Sequence, residues 1–273
     1  MFLVAPSEMI ENYTQLYEGD RFPDGRPMVS DDILERMKLV TTEEAWGVLR
    51  RNGYHFQFAG DWFRTHPDRI LVGRAVTTYW VPKRPDLHDM IEAFGQDEGR
   101  IGGQNSWVID TLQPNDVMVV DLFGKIKDGT FIGDNLATSI RTRTKAGAVI
   151  DGGIRDYQGI MEMDDLAVYC RGVHPTAILD CTLVSINLPL RIGEATVLPG
   201  DVVLGTPTGV IFIPAHLAQA VVERSEDIRV RDQFGKLRLS QGTYTPGEID
   251  RAWSEPIQAD YEDWLSKGKP GLE

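Results

Sequence analysis

Two short glycine-bearing segments hold the side chains best placed to do chemistry. Gly133-Asp134-Asn135-Leu136-Ala137 puts a glycine turn at the start of a predicted helix. Asp151-Gly152-Gly153-Ile154-Arg155-Asp156 puts an Arg-Asp pair in a second glycine-rich turn, with Arg155 22 residues after Gly133. A helix N-terminus offers unbonded N–H groups to an anion. An adjacent guanidinium and carboxylate offer a charge clamp and a ligand for a hard cation. Together they suit a small carboxylate substrate held beside a divalent metal. The plainer alternatives are that Asp134 is an ordinary N-cap and that Arg155 and Asp156 form separate surface ion pairs worth little stability.

The surrounding pattern is that of a mixed sheet with helices outside. Residues 1–69 read as a helical, aromatic-rich extension. Ser30 can cap a helix at Asp31, and Thr41 with Glu44 forms a capping box. His55, Phe56, Phe58, Trp62 and Phe63 form an aromatic cluster, favoured as packing on the main domain or a neighbouring subunit. From Ile70 the chain turns to strand signals at 70–72 and 75–81, broken by Pro82 and Pro85, and at 117–120. A helix from Asn135 is expected to stop at Gly147, and Ala148-Val149-Ile150 is the next strand. Further strands fit 166–170, 183–186, 201–204 and 210–213, and Pro214 suits the first residue of a helix through Glu223. Residues 226–273 read as a helical tail with a capping box at Thr245–Glu248, its Trp253, Tyr261 and Trp264 docking on a surface, expected on a neighbouring subunit.

Bulk composition is ordinary for a globular chain: 273 residues, 42% hydrophobic and 25% charged, enough for a sizeable core. A net charge of −13 disfavours non-specific binding to nucleic acid or an anionic membrane. Cys170 and Cys181 are too few for a disulfide scaffold and are expected as buried thiols. With no signal-peptide pattern and no membrane-length apolar run, the expectation is a cytoplasmic protein. The five histidines show no zinc spacing.

The two turns, Gly147, and the later segments Leu198-Pro199-Gly200-Asp201-Val202-Val203 and Gly209-Val210-Ile211-Phe212-Ile213-Pro214 resemble one known family over roughly residues 70–225. It is the RraA-like family: regulators of ribonuclease activity together with class II 4-hydroxy-4-methyl-2-oxoglutarate and 4-carboxy-4-hydroxy-2-oxoadipate aldolases. Gly200 to Pro207 also resembles a turn of fumarylacetoacetate hydrolases. That family's paired Glu-x-Glu metal motif has only Glu162-Met163-Asp164 as a poor counterpart here.

The RraA-like resemblance implies an α/β fold with a mixed sheet in an α/β/β/α arrangement and a homotrimer or dimer of trimers. It implies that Asp156 binds Mg²⁺ or Mn²⁺ and that Arg155 contacts substrate and developing enolate. Asp134 would hold a metal-bound water. The turn at Gly133, with the amides of Asn135 and Leu136, would hold the carboxylate of a 2-oxo acid. The implied activity is aldol cleavage or oxaloacetate decarboxylation through a pyruvate-type enolate, with a non-catalytic regulator of a ribonuclease or other protein as the alternative. Two positions depart from the aldolase pattern. Gly159 stands where an acidic residue often follows the metal aspartate, and Asp232 is the nearest candidate for the carboxylate that aldolases take from a neighbouring subunit.

Overall fold

The computed structural model describes residues 3–271. The chain divides into two compact units between Val221 and Val222. The first opens with helices α1 (Ser7–Tyr13), α2 (Asp31–Met37) and α3 (Thr42–Arg51). The Ile33 amide donates to Ser30 Oγ at 3.4 Å, and Thr41 and Glu44 close the expected capping box. There follow β1 (Phe58–Ala59), β2 (Phe63–Arg64), β3 (Leu71–Pro82), α4 (Pro85–Asp97), α5 (Gln104–Ile109), β4 (Asp116–Ile132), α6 (Asp134–Thr144), β5 (Gly147–Ile154) and α7 (Tyr157–Met161). The strands end with β6 (Ala167–Val173), β7 (Cys181–Ile186), β8 (Leu190–Ile192), β9 (Ala195–Val197), β10 (Val202–Thr206) and β11 (Gly209–Ile213).

The main sheet runs β1-β11-β10-β3-β4-β5-β6-β2, with β7 also paired to β3. Its centre, β3 to β6, is parallel, and the flanking pairs are antiparallel. Strand alternation divides the core. Met118, Val120, Ala148 and Ile150 pack with Ile91, Trp107, Ile140 and Ile160 from the helices. Val117, Val119 and Val149 pack on the other side with Phe212 and with Ile192 and Val197 of the β8–β9 hairpin. This is the expected mixed α/β architecture.

Residues 1–69 do more than extend the fold. Strand β1 pairs with β11 and β2 with β6, so this segment supplies both edges of the main sheet. The expected aromatic cluster is dispersed: Phe56 is exposed, Trp62 lies against Arg171, and Phe63 meets Tyr157. Helices α4 and α5 fall where the sequence signals were weak. Helix α6 ends at Lys145, which takes the left-handed conformation at φ 52°. Gly147 is therefore no helix stop. It begins β5, where a Cβ would collide with the Ala167 backbone. Pro214 precedes a 3-10 turn (Ala215–Leu217), and α8 (Ala218–Ser240) runs far past Glu223.

Within the second unit, α9 (Pro246–Ile249) carries the Thr245–Glu248 capping box and α10 (Glu255–Ser266) follows. Here Trp253, Tyr261 and Trp264 surround buried Phe234, so these aromatics find their partners inside the unit. Arg238 adds a bidentate pair to Asp260 at 2.6 and 2.8 Å. Among the described residues no helix is long and apolar enough to cross a membrane. Both cysteines are free and buried, and burial pushes the Cys170 thiol up to about 12.

A buried ion pair fixes the start of β4. Arg26 donates to both Asp116 oxygens at 2.8 and 3.1 Å, and the Gln113 amide donates to Asp116 at 2.8 Å. Arg26 and Asp116 are 1% and 0% exposed, so losing one leaves the other charged and buried. Arg26→Ala should therefore destabilise the fold by about 3–5 kcal/mol, read by urea unfolding; a loss under about 1 kcal/mol would contradict this role.

Asp201 makes a different prediction. It is buried, accepts from the Leu198 amide at 2.8 Å, and burial pushes its carboxyl up to about 7. An acid raised this way favours folding while protonated. Its contribution is complete below the ordinary carboxylate range and is lost as pH rises through about 7. Wild type should thus lose stability, on the order of 4 kcal/mol from this group, between about pH 4 and 8. Asp201→Asn should remove that slope in the difference between the two unfolding profiles, and parallel profiles would refute it.

Candidate functional site

The parallel pairing of β4 and β5 brings the two glycine turns together. Val117 to Asp121 sits beside Gly147 to Asp151 in regular register. β4 then bows out through Phe123, Gly124 and Asp128, all at positive φ, and returns to place Thr130 beside Gly153 and Ile132 beside Ile154. The Arg155 amide donates to the Ile132 carbonyl at 3.0 Å, closing the pair. Gly133 and Arg155-Asp156 therefore leave adjacent strands at their carboxyl ends, where open α/β sheets hold their ligands.

Gly133 is the N-cap of α6, and Asp156 is the N-cap of α7 in the left-handed region at φ 52° and ψ 40°. Aspartate tolerates this region better than most residues, at a cost of about 1–3 kcal/mol that the surroundings must hold in place. A Cβ on Gly133 would lie 2.3 Å from Asp156 Oδ2 and 3.0 Å from Arg155 Nε. Only a glycine lets the backbone of one turn rest against the charged pair of the other. Arg155 Nε lies 3.4 Å from Asp156 Oδ2, with the side chains 43% and 45% exposed. The pair is thus one unit with both charges open to a ligand, rather than two separate surface bridges.

Asp134 occupies the first position of α6, not the cap. Its Oδ1 accepts from the Asn135 amide at 2.8 Å. An incoming carboxylate must compete with Asp134 for that amide. The first helical bond back runs from the Ala137 amide to the Gly133 carbonyl at 2.9 Å, so Leu136 belongs to the N-terminal turn whose amides precede it. Across the gap, a Cβ on Gly159 would stand 3.1 Å from Asp134 Cβ and 3.2 Å from its Oδ2. An acidic side chain at 159 would crowd Asp134 with like charge, and the glycine leaves that space open. Asp232 lies exposed on α8 in the second unit, next to Arg231, whose guanidinium is 3.7 Å from the Trp253 ring. Among the described residues, no three His, Cys, Asp or Glu side chains are grouped to share an ion.

Several supports of this site have no motif. Phe63 of β2 meets Tyr157, the residue after Asp156, edge-on at 5.2 Å. His66 Nε2 lies 3.2 Å from the Met161 carbonyl at the end of α7. Arg141 of α6 pairs with Asp165 beyond α7. Asp151, in β5 four residues before Arg155, accepts from Arg171 Nε at 2.6 Å, and Arg171 lies 3.7 Å from the Trp62 ring. The aromatic run from His55 to Phe63 was the available signal, but its partners lie too far along the chain for spacing to reveal them.

The family model described as RraA-like, Aldolase/RraA, matches residues 29–212. A Halalkalibacterium halodurans protein provisionally named a 4-hydroxy-4-methyl-2-oxoglutarate aldolase is 29% identical over 141 residues, covering 50% of this chain and 66% of that protein. An uncharacterised Methanocaldococcus jannaschii protein is 26% identical over 195 residues, covering 64% of this chain and 93% of its own length. Among solved structures, Streptomyces coelicolor RraAS2, described as an unusual member of the RNase ES inhibitor RraA protein family, superposes with a TM-score of 0.64 at 24% identity. That match covers 78% of this chain and 98% of RraAS2 and speaks to the fold alone. With the family model spanning well over half of the chain and both glycine turns inside it, the chain belongs to the RraA-like family.

Proposed function

We propose that the chain is a divalent-metal-dependent lyase acting on a small 2-oxo acid, by aldol cleavage or by decarboxylation of oxaloacetate. The observation that carries this reading is the contact of the Gly133 backbone with the Arg155–Asp156 pair at the start of α6. It sets an open carboxylate, an open guanidinium and a helix N-terminus around one space. Relatives provisionally named aldolases support it at 29% and 31% identity.

The donor set fits a magnesium-type ion. Asp156 presents a half-exposed carboxylate over a cradle that a Cβ on Gly133 would fill. One carboxylate, completed by water and substrate oxygens, is a usual way to hold Mg²⁺ or Mn²⁺. When bound, such an ion supplies Lewis-acid polarisation of the 2-oxo group. The chain's residues supply the rest. Arg155 carries a permanent positive charge toward the oxygen that becomes negative as the carbon–carbon bond breaks, and its fork can also hold the substrate carboxylate. The amides of Asn135 and Leu136, at the positive end of α6, receive that carboxylate once Asp134 turns away from Asn135. Asp134, released in this way, would order a water beside Asp156. Asp232 from a neighbouring copy, in a trimer or dimer of trimers, is the proposed further carboxylate.

The direct test is pyruvate release from oxaloacetate and from 4-hydroxy-2-oxo acids, with and without Mg²⁺. No release from any of them, with no Mn²⁺ binding by calorimetry, would leave a non-catalytic regulator as the better reading. Asp156→Ala should lose metal-dependent turnover by about 100-fold or more and weaken Mn²⁺ binding, with the fold retained at a modestly lower melting temperature because alanine suits the left-handed region less well. Wild-type Mn²⁺ affinity in that variant would place the metal elsewhere. Gly133→Ala keeps every charged group yet intrudes on the pair. It should lower kcat/KM by about 10-fold or more while Arg155 and Asp156 remain, and unchanged kinetics would refute the close-approach argument.

A further inference from the structure

A second cavity in the first unit shares no lining residue with the Arg155–Asp156 turn. Its volume is about 400 Å³, within the range of small-molecule sites. Tyr13 and Tyr17 line it from the end of α1 and the turn beyond, Tyr54 and Phe56 from the segment after α3, and His216 from the 3-10 turn. Its buried lining includes Thr14, Gln57 and Asp201; its exposed lining includes Tyr13, Leu16, Phe56 and Glu194. A concave site with a buried polar floor and a rim of exposed aromatics is unlike the scattered apolar residues of an ordinary surface.

The polar groups indicate what would bind. The lining holds two acids, Glu194 and Asp201, and no lysine or arginine. Gln57 commits its amide N–H groups to the Thr196 and Phe212 carbonyls, at 3.2 and 2.9 Å, and so offers the cavity an acceptor. Tyr54 and His216 occupy each other, O to Nε2 at 3.3 Å, and burial holds the His216 imidazole below its ordinary range, toward the neutral form. Arg21, 5.7 Å from the Tyr17 ring, spends its donors on Thr14, on the Tyr17 carbonyl and on the Gly25 carbonyl. Aromatic side chains with two carboxylates and no lysine or arginine in the lining form a setting for cation–π recognition, with Arg21 already over the Tyr17 ring from outside the lining.

We propose that this cavity is a second ligand site, taking a small organic cation with an aromatic or methylated ammonium or amidinium head. The cation sits among Tyr13, Tyr54 and Phe56, with Glu194 at the rim and Asp201 at the floor. The proposal is independent of the lyase reading, since no residue is shared.

The test uses the purified full chain and calorimetric titration with benzamidinium, against benzoate and benzyl alcohol as anionic and neutral probes of similar shape. At about pH 8, above the value of about 7 to which burial raises Asp201, benzamidinium should bind one site at least about 10-fold more tightly than either comparator. Phe56→Ala and Glu194→Gln change exposed side chains and should each weaken it by about 3-fold or more without changing the melting temperature. Asp156→Ala should leave it unchanged. Equal or better binding of benzoate or benzyl alcohol, indifference to both rim variants, or no saturation by about 10 mM benzamidinium would overturn the proposal.

Discussion

The structure of the site depends on two parallel neighbours, β4 and β5, ending side by side. Parallel pairing sends both chains out of the sheet in the same direction, and the bond from the Arg155 amide to the Ile132 carbonyl holds the exits in register. Each exit then starts a helix, α6 from Gly133 and α7 from Asp156. Two helix starts on adjacent strands concentrate helix-end amides and the carboxylates of Asp134 and Asp156 in a small volume. The bowed segment between Asp121 and Thr130 lengthens β4 without disturbing this, because the register is restored before the strand ends.

That juxtaposition demands glycine for a steric reason. With Gly133 2.3 Å from Asp156 Oδ2 at its missing Cβ position, any side chain would push the carboxylate out of its place. Gly159 opens the corresponding space on the far side of Asp134. The site is therefore shaped more by absent side chains than by added ones. Its charged groups stay exposed enough to exchange partners, as the proposed substrate clamp requires.

These two turns were legible in the sequence because their chemistry is local: glycine, a helix start and a charged pair occupy short contiguous segments. The central strands were legible for a related reason, since Val117 to Val120 and Ala148 to Ile150 are apolar on both faces, as buried parallel strands must be. Both capping boxes were also local. What failed were readings that needed tertiary knowledge. Gly147 has the spacing of a helix stop, but its role is set by the Ala167 backbone beside it. The aromatics between His55 and Phe63 looked like one cluster, yet β1 and β2 carry them to opposite edges of the main sheet. Pro214 marked a helical start, but the length of α8 depends on packing around Phe234 that no periodicity announced.

The position of Gly159 bears on which reactions this site can support. An acid at that position would face Asp134 at close range, and two carboxylates so placed resist ionising together. Such a pair can keep one proton and serve as a proton donor or acceptor. Asp134 here has no carboxylate at 159 to share a proton with, and its Oδ1 is engaged by the Asn135 amide. Under the proposed lyase reading, the chain keeps the groups assigned to binding and polarising a 2-oxo acid but lacks this one local means of handling protons. Decarboxylation needs no base to start, because loss of CO₂ itself generates the enolate, whereas aldol cleavage must remove a hydroxyl proton. Of the two reactions proposed for this site, decarboxylation makes the smaller demand on the residues that are present.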